Sequence, residues 1–526
     1  MRLEIPHLSS TSRVAFWLFL RGLALVYLAA FASLAPQIEG LVGSSGILPA
    51  GEFLHILGDE MGVRSFFAVP SLFWLHVGDG TLRWATGAGV ALSLLLFLDV
   101  APALTAALLW FLYLSVVSVG QDFFAFQWDG LLLEAGLLAA LAAPWRLGPR
   151  LATLTEPPAF GLFLLRFLLF RLMFLSGAVK LASGDAAWRD LSALSWHWYT
   201  QPLPTPLAWH AAQLPAGFQQ FSCAVVLVVE LAFPFLIFGG KIARRVAFAA
   251  FALLELGIAA TGNFAFFNAL TLVLAVLLLD DGAFHHRVSN ALDTALERSY
   301  RVARGLRARR WALFGLGGFL LFWSLIAAAS EFPQARAVPA WLNKASFYVG
   351  AWRSVNGYGL FAVMTKARGE ISIEGSDDGE AWKPYAFRYK PNPEPNPANP
   401  FAGKPGIGWV APYQPRLDWQ MWFAALSSGE KTPWFENLAV RLLQGSEPVS
   451  RLFAENPFPR HPPRFIRAMY YDCRYTTPAE RKTAVPGTAE AWWHCQPSGW
   501  YYPAISLSAD GAPAPAPAPA TAPAGN

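Results

Sequence analysis

Nine stretches of this chain are apolar over nearly the length that a helix needs to cross the hydrocarbon core of a bilayer, about 20 residues. They hold few charged residues, and over the whole chain only 14% of residues are charged, where soluble domains have about a quarter. The pattern predicts an α-helical membrane bundle of about nine spans. The stretches are 14–34, 83–98, 102–119, 130–143, 160–181, 218–238, 246–260, 264–279 and 311–329.

The short connections between these stretches differ in positive charge. Arg and Lys are retained on the cytoplasmic side of a membrane, and all the basic clusters fall on one side of a nine-span arrangement. The pattern predicts a cytoplasmic N-terminus and a C-terminus outside. The clusters are Arg2 and Arg13, Arg146 and Arg150, Lys241, Arg244 and Arg245, and seven Arg in 282–310.

The segment 282–310 is a basic linker predicted to lie in the cytoplasm. It carries the whole net charge of the chain, +5, so the sequence does not predict a nucleic-acid-binding surface spread over a domain. Its apolar residues share one helical face, which indicates an amphipathic helix on an anionic leaflet near 288–310. A basic loop with no lipid contact explains the same residues equally well.

The composition becomes polar and aromatic after the last apolar stretch. We expect a polytopic membrane domain over 1–335 and a β-rich, sandwich-like extracytoplasmic domain over 340–508. Alternating residues on both sides of Asp378-Gly379 are typical of a β-hairpin, and helices are expected near 419–426 and 434–443. The Ala-Pro repeats of 509–526 cannot form a core and predict a disordered tail.

Several charged residues lie inside the apolar stretches, where each is costly unless it is paired. We expect Glu134, Arg166, Arg171 and Lys180 to form an intramembrane ion network, with Glu134 pairing with Arg166 or Lys180. A structural network is favoured over a catalytic one, because buried ion pairs can fix helix register. An outward cavity lined by Lys180, Glu134 and Arg166 would instead favour an enzyme.

The loop 188–210 is rich in aromatic residues, and Pro202, Pro204 and Pro206 make part of it extended. Such residues also form the aromatic belt at a membrane surface, but the prolines favour a shaped binding surface. A second aromatic segment begins at Arg416, where helical core packing is the favoured interpretation and client binding is the alternative. The candidate binding residues are Trp196, His197, Trp198, Tyr199, Trp209, Arg416, Asp418 and Trp419.

Three cysteines are too few for a disulfide scaffold or a four-cysteine metal site. Cys473 and Cys495 fall in the predicted outer domain, where an oxidising environment favours a disulfide between them. The sequence predicts no metal and no cofactor. It also contains no Gly-x-Ser-x-Gly elbow, phosphate-binding loop or dinucleotide fingerprint.

Three groups of residues together resemble the lipase maturation factor family. They are 171–209, with Arg171-Leu-Met-Phe-Leu-Ser-Gly and Gln201-Pro-Leu-Pro-Thr-Pro; Thr261-Gly-Asn-Phe-Ala-Phe-Phe-Asn; and Val355-Asn-Gly-Tyr-Gly with Pro415-Arg-Leu-Asp-Trp-Gln-Met-Trp-Phe. The resemblance implies a multi-pass membrane protein that helps exported lipases to fold and assemble. Animal members lie in the endoplasmic reticulum membrane. The Ala-Pro tail and the absence of Asn-x-Ser/Thr acceptors favour a bacterial inner membrane for this chain.

The membrane half also resembles, more distantly, the horizontally transferred transmembrane domain of proteins related to vitamin K-dependent carboxylase. The similar residues are Gly46-Ile-Leu-Pro, Phe126-Gln-Trp-Asp-Gly-Leu-Leu-Leu-Glu and Gly177-Ala-Val-Lys-Leu. This resemblance implies that Lys180 is an active-site base. Two hypotheses follow: a non-enzymatic folding factor that binds exported lipases or similar secreted proteins, and a membrane enzyme that uses Lys180 on a lipid-like or quinone-like substrate.

Overall fold

A computed structural model describes residues 11–148, 155–284, 307–332, 339–393, 407–484 and 489–516. Within these residues, six helical segments are long and apolar enough to cross a membrane. Only helices satisfy all their backbone hydrogen bonds within one segment in lipid, so an apolar stretch of this length folds as a helix. The six are Arg13–Leu34, Asp79–Phe97, Pro102–Val119, Ala159–Ala182, Ala216–Phe238 and Trp311–Ser330.

The membrane half contains fifteen described α-helices, many of them short connections between the spans. They are α1 (Arg13–Leu34), α2 (Ile38–Val42), α3 (Ala50–Met61), α4 (Ser65–Ala68), α5 (Asp79–Phe97), α6 (Pro102–Val119), α7 (Gln127–Ala142), α8 (Ala159–Ala182), α9 (Ala186–Arg189), α10 (Ala193–Thr200), α11 (Pro206–Ala212), α12 (Ala216–Leu231), α13 (Lys241–Thr261), α14 (Phe267–Ala275) and α15 (Arg307–Ser330).

The nine-span prediction is confirmed only as a multi-pass helical bundle. The other three predicted stretches fall in α7, α13 and α14. Helix α7 has 16 residues, a rise of about 24 Å at 1.5 Å per residue, and α14 has only 9 before it tightens into a 3-10 turn. Helix α13 is long enough but begins with Lys241, Arg244 and Arg245. Nine spans therefore stay a prediction.

Helix α1 lies in the core of the bundle, and its aromatic residues are fully buried. Phe19, Tyr27 and Phe31 have no exposed surface, and α1 packs along α5. The approach is close because Gly89 of α5 has no side chain: a Cβ there would overlap the Phe31 ring. By contrast, α12, α13 and α15 expose large apolar side chains on one side, as helices facing lipid do.

The C-terminal half contains one five-stranded antiparallel sheet in the described residues, with the strand order β2-β1-β3-β4-β5. The strands are β1 (Arg368–Ser376), β2 (Lys383–Pro384), β3 (Phe465–Tyr475), β4 (Trp493–Leu507) and β5 (Pro513–Pro515). The helices are α16 (Ala340–Ala351), α17 (Arg416–Ala424), α18 (Pro433–Leu443), α19 (Glu447–Ser450) and α20 (Pro478–Thr483).

The β-rich character of this half is confirmed, and the predicted sandwich is not. In the described part of the chain, helices take the place of a second sheet: α17 packs against β1 and α18 against β3. The predicted hairpin joins β1 to β2, with Glu374 opposite Pro384. The turn is held by the Asp378 carboxylate, which accepts hydrogen bonds from the backbone N–H groups of Glu380 and Ala381, both at 2.8 Å.

Two predicted segments are only partly described. Pro513–Pro515 forms β5 along β4, so disorder of the whole 509–526 tail is wrong at its beginning, and 517–526 lie outside the described residues. Most of the predicted linker 282–310, and with it the proposed lipid contact, also lies outside them. Residues 307–310 are the start of α15.

Cys473 and Cys495 are directly opposite each other on β3 and β4, and their sulfur atoms are 2.00 Å apart in a disulfide. The bridge closes a loop with a sequence separation of 22 residues. A loop of this size constrains the unfolded chain by about 3 kcal/mol. We therefore expect the Cys473→Ser, Cys495→Ser double variant to lose about that free energy of unfolding, measured by denaturant titration.

The matched control is Cys223→Ser, because Cys223 is the one cysteine outside the disulfide and is buried as a free thiol. A reducing agent should destabilise the Cys223→Ser variant as much as the wild type, and should have no further effect on the double variant. Equal stability of the double variant and the wild type would contradict the prediction.

Candidate functional site

The C-terminal half is joined to the membrane half by a buried arginine. Arg416, the first residue of α17, is 1% exposed. Its two terminal nitrogens donate hydrogen bonds to the two oxygens of Asp129 on α7, each at 2.9 Å. The Phe123 carbonyl accepts another at 2.7 Å, and the guanidinium lies 3.7 Å from the centre of the Phe124 ring. Tyr113 donates to the same carboxylate. We call this set the Arg416 clamp.

Arg416, Asp418 and Trp419 are therefore not the client-binding surface that the sequence suggested. Trp419 is 4% exposed and packs against Phe126 and Trp128, with ring centres 5.9 and 4.6 Å away. Asp418 is 3% exposed and accepts hydrogen bonds from two backbone N–H groups, at residues 389 and 390, each at 2.9 Å. The favoured interpretation, core packing, describes this segment.

Burial raises the pKa of Asp418 from 3.8 to about 6, although those two N–H groups act against the shift. The folded chain therefore holds this proton more tightly than the unfolded chain. The resulting stability, about 3 kcal/mol at most, is fully present below about pH 4 and is lost as the pH rises through about 6.

We expect the Asp418→Asn variant to lack this component of the pH dependence, because an amide does not titrate. The measurement is thermal unfolding of wild type and variant between pH 4 and 7. Identical pH profiles for the two proteins would contradict the assignment.

A second junction surrounds Glu134 in α7. Arg171 of α8 donates to one of its carboxylate oxygens, and both side chains are 3% exposed. The C-terminal half supplies the rest: Tyr358 Oη donates to the other oxygen at 2.8 Å, and the Asn356 carbonyl accepts from Arg171 at 3.0 Å. We call this set the Glu134 clamp.

The predicted four-residue ion network is therefore divided among three places, and Arg166 and Lys180 are the wrong partners for Glu134. Arg166 donates to the Leu277 carbonyl at 2.9 and 2.8 Å. Lys180 Nζ lies 2.6 and 2.5 Å from the two carboxylate oxygens of Glu230 on α12. Residues 166 and 171 are five apart, about 140° around a helix, so they face different neighbours.

The aromatic loop 188–210 is also part of the junction. Arg368 of β1 is 2% exposed and donates to the carbonyls of residues 199, 201 and 202 at 2.8, 2.5 and 3.0 Å. Trp209 is 5% exposed, and its indole N–H donates to the Thr476 carbonyl at 3.0 Å. Tyr199 Oη donates to the Lys366 carbonyl at 2.9 Å.

The remaining candidates of this loop are half-buried. Trp198 donates its indole N–H to the Gln219 side chain at 2.6 Å, Trp196 is only partly accessible, and the His197 ring lies against Phe361, with centres 4.9 Å apart. The predicted surface is thus largely used for contacts within the chain.

Among the junction residues that the sequence analysis did not single out, two are polar but uncharged. Asn263 accepts hydrogen bonds from the N–H groups of residues 410 and 411 at 2.7 and 3.0 Å, and donates to the Leu203 and Gly408 carbonyls. Gln37 accepts the Arg416 N–H at 2.9 Å. The sequence did contain a signal for them. An amide side chain directly beside an apolar stretch is expected to be buried, and a buried amide needs a hydrogen-bond partner.

A cavity of about 100 Å³ lies beside the junction, between α8, α12, α13 and α14. Of the three residues whose shared cavity would favour an enzyme, only Lys180 lines it. The polar lining residues are Ser176, Lys180, His197, Glu230, Glu255 and Asn268, and Leu172, Met173, Phe264 and Phe361 are among the apolar ones. Phe361 belongs to the C-terminal half, so the cavity is closed by both halves.

The polar groups of this cavity are only partly paired with one another. Lys180 is neutralised by Glu230 and lies 5.0 Å from the Trp188 ring centre. Burial, and then the charge of Lys180, lower the pKa of His197 to about 4, so this imidazole is uncharged at neutral pH. In the described part of the chain, no three His, Cys, Asp or Glu residues come together as metal ligands.

These features define a multi-pass membrane protein whose β-rich C-terminal half is clamped onto its helices. The chain matches the family model described as "Lipase maturation factor transmembrane domain" over residues 14–286 and that described as "Lipase maturation factor C-terminal domain" over 354–503. The chain belongs to the lipase maturation factor family, which confirms the resemblance found in the sequence.

The relatives in this family match nearly the whole chain. Lipase maturation factor 2 of Gallus gallus is 36% identical, over 93% of this chain and 81% of the relative, and its Homo sapiens counterpart is 35% identical, over 94% and 83%. Lipase maturation factor 1 of Homo sapiens is 31% identical, over 94% and 88%. No solved structure matches the chain.

Proposed function

We propose that this protein is a membrane-bound folding and assembly factor that acts on exported lipases by binding them. The observation that carries the proposal is family membership over both halves of the chain. Binding without covalent chemistry fits the structure, because the charged side chains of the junction are engaged in structural contacts. The proposed location is a bacterial inner membrane, with nine spans, a cytoplasmic N-terminus and the C-terminal half outside. The basic clusters of the sequence support that orientation.

The client surface is proposed to be the exposed aromatic side of the C-terminal half. Trp409 and Trp500 are 62% and 61% exposed, and Phe423 and Leu426 are also exposed. Contiguous exposed apolar patches outside the membrane spans mark interaction sites, and we propose that these side chains form such a patch. Aromatic side chains also supply most of the binding energy in protein interfaces. This surface replaces the buried one that the sequence suggested.

The test uses an exported lipase produced together with this protein. Replacing Trp409, Phe423 and Trp500 by Ala removes three aromatic contacts, each worth about 1 kcal/mol or more when it anchors an interface. We expect the affinity for the immature lipase to fall at least about tenfold and the yield of active secreted lipase to fall with it. Binding is measured by pull-down of the lipase from solubilised membranes.

The matched control replaces Trp311, Phe319 and Phe322 on α15, which are also large and exposed but lie within a candidate membrane span. It should leave the lipase yield unchanged. Full binding and full yield with the first variant, at equal membrane abundance, would show that these aromatic residues do not hold the client.

A membrane enzyme that uses Lys180 as a base is the second proposal, and the cavity is the observation that favours it. The ion pair with Glu230 counts against it, because both carboxylate oxygens accept hydrogen bonds from Nζ and so occupy the nitrogen that a base would use. A Lys180→Arg variant with undiminished lipase maturation would exclude it, because arginine keeps the charge and cannot act as a base at neutral pH.

A further inference from the structure

The cavity is lined by two carboxyl groups, and only one of them belongs to an ion pair. Lys180 and Glu230 neutralise each other, whereas Glu255 of α13 is 4% exposed and forms no ion pair with the described residues. Among the described residues, Asn268 supplies its one hydrogen bond, from the side-chain amide to Oε2 at 2.7 Å. Oε1 is left without a donor from this part of the chain. Glu255 lines the cavity, so this oxygen offers a polar position to a molecule bound there.

We infer that the cavity binds a small apolar molecule that ends in a hydrogen-bond donor, either a hydroxyl or a primary amine. The donor group bonds to Oε1 of Glu255, and the apolar body lies against Leu172, Met173, Phe264 and Phe361. This site is independent of client binding, because the exposed aromatic residues of the C-terminal half take no part in it.

The charges of the cavity select against carboxylic acids. Two carboxyl groups, Glu230 and Glu255, face one ammonium group, Lys180, and His197 is uncharged at neutral pH because its pKa lies at about 4. Lys180 is already neutralised by Glu230, so a bound carboxylate would lie in a place of low dielectric constant without a counter-ion. A hydroxyl adds no charge, and an ammonium group would pair with Glu255 in its ionised form.

The size of the cavity limits the ligand to a ring or a short chain. Its volume is about 100 Å³, and a dry protein cavity of about 150 Å³ is known to hold a benzene molecule. Alcohols and amines with about six carbons are therefore suitable probes. Phe361 closes the cavity from the C-terminal half, so a bound ligand would also contact both halves of the chain.

The experiment uses the full chain in nanodiscs of phosphatidylethanolamine and phosphatidylglycerol. The probe is a six-carbon alcohol with a diazirine, and crosslinked residues are mapped by mass spectrometry. We expect labelling at Leu172, Met173 and neighbouring cavity residues, competed by 1-hexanol and not by hexanoate. A hexylamine arm decides between the two donor groups: stronger competition than 1-hexanol assigns the amine, and weaker competition assigns the hydroxyl.

Glu255→Gln is the informative variant because the new amide retains an acceptor for Asn268 but replaces the free oxygen by an NH₂ group. Competition by the alcohol should weaken at least about tenfold, as expected when a buried acceptor is lost and the ligand's donor meets an NH₂ group instead. The matched control, Leu253→Phe, alters a residue of the same helix that is 73% exposed. It should leave competition unchanged.

Ser176→Phe provides a second variant, since it fills the cavity from α8 and should abolish labelling there. Slow alkylation of the buried thiol of Cys223 reports that each variant is folded. The inference is overturned if hexanoate competes as well as 1-hexanol, or if 1-hexanol competes equally well in Glu255→Gln and in the wild type. It is also overturned if the label is confined to lipid-facing side chains.

Discussion

Replacing Arg416 by Ala should lower the free energy of unfolding by about 3–5 kcal/mol, a large part of the 5–15 kcal/mol that holds a typical protein together. The variant leaves the Asp129 carboxylate buried, where it has 0% exposure, without the guanidinium that neutralised it. It also removes the hydrogen bond to the Phe123 carbonyl and the contact with the Phe124 ring. Because the pair joins the two halves, the C-terminal half should detach first.

The measurement is an SDS titration in mixed micelles, followed by alkylation of the Cys223 thiol and by protease resistance of the C-terminal half. Arg416→Lys should lose less, since a lysine retains the charge but cannot donate to both oxygens of Asp129 from a planar fork. Arg441→Ala is the matched control. Arg441 also reaches across the junction, but its carboxylate partner Glu52 is 71% exposed and 3.9 Å away, so the loss should be about 1 kcal/mol or less.

An apolar replacement of the whole pair makes the test sharper. The double variant Asp129→Leu, Arg416→Met removes both charges, and such exchanges in buried sites are often neutral or stabilising. It should therefore recover much of the stability that Arg416→Ala loses. If Arg416→Ala is no worse than Arg441→Ala, the clamp does not hold the halves together.

The multi-pass helical character could be predicted from the sequence because the cost of placing a residue in lipid depends on that residue and its near neighbours. The hairpin at Asp378-Gly379 was predictable for the same reason: the Asp378 carboxylate bonds to backbone N–H groups only two and three residues ahead. Both are local properties of the chain. The family resemblance rested on long runs of specific residues and did not require a fold.

The partners of the charged residues could not be predicted, because they are far apart along the chain. Asp129 and Arg416 are 287 positions apart, and no periodicity links them. Helical spacing shows that Arg166 and Arg171 face different directions, but it does not show which helix lies in each direction. Glu134 was therefore assigned to the wrong cations.

The aromatic loop was misinterpreted for a different physical reason. Trp196, Trp198 and Trp209 have the composition of a binding surface, and a contact within one chain uses the same side chains as a contact between two chains. Only the position of β1 over the loop, where Arg368 binds three carbonyls, distinguishes the two. Whether such aromatic residues bind a partner or pack within the chain can be decided only from the structure.

Replacing Glu134 by Ala should be as damaging as losing the Arg416 clamp, with a loss of about 3–5 kcal/mol, but the damage should begin inside the bundle. Its main partner, Arg171, belongs to a neighbouring span and would remain 3% exposed with no carboxylate beside it. An unpaired arginine among apolar helices is costly. Tyr358 would lose its acceptor as well, so the C-terminal half is weakened only as a second consequence.

Glu134→Gln separates the two consequences, since glutamine retains an acceptor for Tyr358 and loses only the charge that pairs with Arg171. The stability of both variants is measured by the same SDS titration, and Glu52→Ala, at a largely exposed carboxylate of the junction, serves as the control. If the charge of Arg171 dominates, Glu134→Gln should lose nearly as much as Glu134→Ala. The double variant Glu134→Gln, Arg171→Met removes both charges. It should then be more stable than Glu134→Gln alone, because the helices no longer bury an unpaired cation. A double variant weaker than either single change would mean that the pair itself, rather than its neutralisation, stabilises the bundle.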